Sequence, residues 1–109
     1  MMVNFKEELM ELLIDLLGIL SEHKRRHNVN YFIETLKNMI AIIQNIENPE
    51  LPNECIEQLR KMYKSMFFPR DGLSDFYILD SDVTYMTKCN TQFSSLLNRI
   101  DALLEEGGS

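Results

Sequence analysis

Apolar residues recur at steps of three and four along most of this chain, and the recurrence breaks in three places. In the first stretch Phe5, Leu9, Leu12, Leu13, Leu16, Leu17 and Leu20 share one helical face. This spacing predicts a helix from about residue 3 to residue 27, with Asn4 as its cap and Glu7 three residues on. Acids fill its first turns, and Lys24, Arg25 and Arg26 sit where a helix dipole favours cations.

Asn28 and Asn30 break the pattern, and either is suited to cap a second helix over about 31–47. Phe32, Ile33, Leu36, Met39, Ile40, Ile43 and Ile46 give its apolar stripe, widened by Ala41 and Ile42. Pro49 and Pro52 end it, because neither fits a regular helix interior. Asn53 is expected to cap a third helix reaching Phe67, with Ile56, Leu59, Met62, Tyr63 and Met66 inward. A fourth runs from a cap at Asp80, Ser81 or Asp82 to about Glu106. Its stripe of Val83, Met86, Phe93, Leu97, Ile100 and Leu104 contains one step of seven, from Met86 to Phe93.

Four amphipathic helices on short connections predict an all-α fold, an antiparallel bundle of about four helices. Residues 1–106 form one domain, and Gly107, Gly108 and Ser109 are a flexible or appended end. The third break, residues 67–82 (FFPRDGLSDFYILDSD), is unlike the rest. It joins a turn pair, Asp71-Gly72, to an apolar run, Phe76 to Leu79, among four aspartates. That run has the length of a strand, but no other segment alternates with period two to pair with it. Phe68, Phe76 and Ile78 have an inward use, closing an open end of the bundle. An outward use for the loop's aromatics is recognition of another molecule.

Charge narrows the function classes. The 109 residues carry a net charge of -6, which opposes nucleic acid and suits a basic partner. Residues 1–20 hold -3, residues 21–70 hold +2 and residues 71–109 hold -5. If the first and last helices are neighbours, their acids are expected to merge into one negative face. No stretch reads as a membrane span or a signal peptide, so the expectation is a cytoplasmic protein with no membrane contact. Cys55 and Cys89 read as reduced thiols.

Motifs for chemistry are weak. His23 and His27 are four apart, as zinc ligands on a helix are, but three cations lie between them. The aspartates of 71–82 do not match a calcium loop, which needs alternating oxygen ligands and a terminal glutamate. No nucleophile elbow, phosphate loop or paired CxxC is present. The expectation is a non-enzyme that holds neither metal nor cofactor.

The stretch FPRDGLSDFYI, residues 68–78, lies between a helical half and a long last helix. It resembles immunity proteins of bacterial contact-dependent growth inhibition systems. The resemblance implies a single domain that binds and blocks one cognate protein toxin, often a nuclease with a basic groove. It further implies a monomer that forms a heterodimer with that toxin. Loop position and charge put the contact at Asp71, Asp75, Phe76, Tyr77, Asp80 and Asp82. The alternative is a regulatory or adaptor bundle, homodimeric through the broad apolar face of residues 31–46.

Overall fold

A computed structural model describes residues 4–23, 29–70 and 72–107. Four helices follow in order: α1 (Phe5–Glu22), α2 (Val29–Gln44), α3 (Asn53–Lys64) and α4 (Val83–Gly107). A single 3-10 turn, Leu73–Asp75, interrupts the connection between α3 and α4. Among the described residues there is no strand.

The ends differ from the sequence expectation in instructive ways. Asn4 caps α1 as expected, its Oδ1 accepting the Glu7 N–H at 2.8 Å. The helix stops at Glu22 rather than near residue 27, and Lys24 to Asn28 lie outside the described residues. Asn30 sits inside α2 and caps nothing. Asn53 is the first residue of α3, with Pro52 in the capping position and no side-chain cap. Pro52 has the extended backbone that a cap requires, and its carbonyl accepts the Ile56 N–H at 3.1 Å. A proline thus opens the helix without its missing N–H costing a bond.

Each helix runs antiparallel to its neighbours, and named contacts show it. Near the start of α1, Lys6 Nζ bonds the carbonyls of Ile46 and Asn48, just beyond the end of α2. Tyr31, near the start of α2, shares a 2.9 Å hydrogen bond with Ser65 after α3. Arg60 donates to the Leu104 carbonyl at 2.6 Å, and Tyr63 to the Leu97 carbonyl at 2.9 Å, along α3 and α4. Arg99 of α4 lies 3.7 Å from Glu8 of α1 and closes the ring. The core is aliphatic: Leu9, Leu13, Leu16, Leu20, Leu36, Met39, Ile43 and Leu59 are fully buried. Each such side chain stabilises the fold by about 1.5–3 kcal/mol relative to exposure.

Cys55 and Cys89 are free, half-buried thiols on different helices. Ile40 and Ile42 pack on or into the core, so the face proposed for a homodimer is largely used internally. None of the helices is long and apolar enough to cross a membrane.

Helix lengths explain the irregular loop. At 1.5 Å per residue α4 is about 37 Å long and α3 about 18 Å. The short helix covers only the C-terminal half of the long one. The chain then turns back at Gly72, and residues 73–80 cover the remaining half. Phe76 packs on Phe93 with ring centroids 5.2 Å apart. Phe68 lies against Tyr31 and Phe32 at 5.5 and 6.0 Å and closes the same end.

Candidate partner-binding surface

Exposure alternates strictly across residues 76–79, which begin from an extended Phe76: Phe76 is 6% exposed, Tyr77 44%, Ile78 1% and Leu79 59%. This is the period of a half-buried strand. The inward side chains join the core. The place of a neighbouring strand is taken by a side chain, because Asn90 of α4 bonds both backbone groups of Ile78. Its Oδ1 accepts the Ile78 N–H at 2.8 Å, and its Nδ2 donates to the Ile78 carbonyl at 2.9 Å. A second bond from Nδ2 reaches the Met86 carbonyl at 3.0 Å.

The expected site residues therefore separate. Phe76 is corrected to a core residue, since its ring is spent on Phe93. Tyr77 is exposed as expected. Asp75 ends the 3-10 turn and is exposed. Asp80 and Asp82 are exposed and shape the entry to α4. Asp80 Oδ1 accepts the Asp82 N–H at 2.8 Å, and Asp82 Oδ1 accepts the Tyr85 N–H at 3.1 Å, so Asp82 is the cap. A carboxylate at this position also suits a helix N-terminus. Asp71 lies outside the described residues.

Three surface residues were missed. Leu79, Val83 (67% exposed) and Tyr85 (44%) join Tyr77, so among the described residues four of the six exposed large hydrophobics fall within residues 77–85. Val83, expected on the buried stripe, lies in the first turn of α4. The unbroken apolar run of 76–79 did not mark Leu79 as outward, and nothing local marked Val83.

Tyr85 brings α1 to this surface. A shallow pocket of about 210 Å³ is lined by Ile19, Glu22, Ile78, Tyr85, Lys88 and Cys89 among others. The Cys89 thiol beside the Tyr85 hydroxyl is the first cause that holds its pKa above the ordinary value. Slight desolvation and the carboxylates of Glu22 and Asp80 add to it. These acids flank the same aromatic ring from two elements.

The merged negative face expected of α1 and α4 does not form as one sheet of charge. Glu7, Glu11, Asp15 and Glu22 are exposed on α1, in line along its outer side. Glu8 is paired with Arg99. Glu105 of α4 lies 3.9 Å from Arg60 and 3.7 Å from Lys64 of α3. The outer side of α4 between Thr84 and Ser95 is mostly uncharged Thr, Ser and Gln, with Lys88 the cation there. The acids of α1 instead make a stripe of their own that ends at Glu22, which acts with Asp80 on Tyr85.

Among the described residues no group of three or more His, Cys, Asp or Glu is placed to hold a metal. His23 follows α1, and His27 lies outside the described residues. No family model, curated protein or solved structure matches the chain.

Proposed function

We propose that this chain is an immunity-type protein that binds a basic toxin domain in the cytoplasm and blocks its active site or a nearby surface. One observation carries the reading. An exposed apolar group of Tyr77, Leu79, Val83 and Tyr85 is bracketed by carboxylates, and no basic residue lies between Arg70 and Lys88. Large apolar side chains held outward on a packed scaffold are the kind that anchor an interface. Carboxylates around them speed encounter with a cationic partner and reject anionic ones. An interface of ordinary size, about 800 Å² on each side, extends from this end of the bundle along α1.

The anchor set is therefore Tyr77, Leu79, Val83 and Tyr85, with Asp75, Asp80, Asp82 and Glu22 steering. Phe76 acts from beneath, holding the segment in place. The alternative, an adaptor dimerising through residues 31–46, gains nothing from the structure, because that face packs inward.

The test is co-expression with the C-terminal domain of an exported protein encoded immediately upstream of this chain. Restored growth and a stable one-to-one complex are expected. A toxic domain that this chain neither binds nor neutralises overturns the reading.

A further inference from the structure

Asn90 bonds both the N–H and the C=O of Ile78, and burial alternates across residues 76–79, which together fit an extended segment with Asn90 on one edge. The N–H and C=O of one strand residue point to the same edge, and those of its neighbours to the other. The backbone groups of Tyr77 and Leu79 therefore face away from Asn90. Among the described residues they have no hydrogen-bond partner. Their side chains are the exposed apolar ones of the segment. A short strand edge is thus held rigidly on a helical scaffold, with its inner side satisfied and its outer side open.

We infer that this edge accepts an extended segment of a partner protein, which adds as a strand beside residues 77–79. The inference rests on the binding reading above and supplies its mode. Main-chain bonds at Tyr77 and Leu79 set the register, and alternate side chains of the incoming segment lie against the exposed apolar group. The occupant is an apolar, β-prone segment flanked by lysine or arginine, because Asp75 and Asp80 stand at the two ends of the run. A second copy of this chain is a poor occupant. It would set the same aspartates against each other and join two molecules of net charge -6.

The test begins with decapeptides selected from a random display library on the purified protein. Selected peptides are expected to alternate apolar residues, to carry flanking cations and to protect the Tyr77 and Leu79 amides from hydrogen exchange. N-methylation of alternate peptide amides is expected to abolish binding. Two variants then separate backbone from side chain. Leu79→Ala removes only the side chain, whereas Leu79→Pro also removes the outward N–H and leaves the Ile78–Asn90 bonds in place. Leu79→Pro is expected to bind about tenfold more weakly than Leu79→Ala. Equal binding by the two variants, with both still folded by near-ultraviolet circular dichroism, overturns edge pairing. So does growth rescue by a complex that leaves both amides unprotected, and that result keeps the binding reading intact. A dimer of the chain alone that protects these amides overturns the choice of occupant.

Discussion

The carboxamide of Asn90 holds both backbone groups of Ile78, at 2.8 Å to the N–H and 2.9 Å to the C=O. One side chain thereby does the work of a neighbouring strand and fixes which residues of the loop face outward. Without it, two backbone groups of a buried residue would lose their partners, at about 1–3 kcal/mol each. Asn90→Ala is expected to destabilise the protein by about 2–3 kcal/mol. It should also raise hydrogen exchange at Ile78 far more than in α1 or α2. Uniform loss of protection across the chain would show that the loop has no separate anchorage.

Asn90 also marks what the sequence reveals and what it hides. The bundle was legible because Leu9, Leu16, Leu36, Ile43 and Leu59 recur with the helical period and all are buried. The α4 stripe was read with a step of seven between Met86 and Phe93, and Asn90 fills that gap. A polar residue on an apolar stripe is a signal, but its partner twelve residues earlier depends on how the chain turns at Gly72. Periodicity does not encode that turn. Val83 misled because a helix pattern says nothing about whether a neighbour extends far enough to cover it. The sequence allows Phe76 both an inward and an outward use, and the exposures of 76–79 decide for the inward one.

Gly72 and Gly18 make opposite demands. A Cβ on Gly72 would lie 2.3 Å from the Phe68 nitrogen and 2.6 Å from its oxygen, both backbone atoms that cannot step aside. Next to it, the Leu73 N–H bonds the Met66 carbonyl at 2.7 Å. Gly72→Ala should cost about 2–3 kcal/mol by forcing the turn apart. On α1, a Cβ at Gly18 meets nothing within 4 Å. Gly18→Ala should stabilise the helix by about 0.5–1 kcal/mol. Urea unfolding of the two variants checks both signs.

Tyr63 sets an alkaline limit on stability. Its side chain is buried, and its hydroxyl donates to the Leu97 carbonyl at 2.9 Å. Burial first, and then the Asp101 charge, push its pKa well above the ordinary 10.0. The folded state therefore prefers the neutral phenol. The corresponding stability is complete below pH 10.0 and falls as the pH climbs from there toward the raised folded value. Tyr63→Phe should lose about 1 kcal/mol at neutral pH, since one hydrogen bond is gone and the Leu97 carbonyl already has its helical environment. The variant should lack this tyrosine's share of the alkaline decline. A decline of the same steepness in both proteins would assign it to other groups.

Asp82 has two roles, and the choice of substitution separates them. As the cap of α4 it accepts the Tyr85 N–H, and as a charge it belongs to the field around Tyr77 and Leu79. Asp82→Ala removes both and should cost about 1 kcal/mol of stability. Asp82→Asn keeps a capping oxygen and removes only the charge, so its stability should stay within about 0.5 kcal/mol of the parent. Combined with Asp80→Asn, it should lower the association rate with a basic partner several-fold and flatten the salt dependence, with little change in dissociation. Charge reversal at Asp75 should act in the same direction. Stopped-flow association at two ionic strengths measures this directly. Unchanged rates in the double Asn variant would mean that the loop aspartates serve to build the α4 entry and do not steer the encounter.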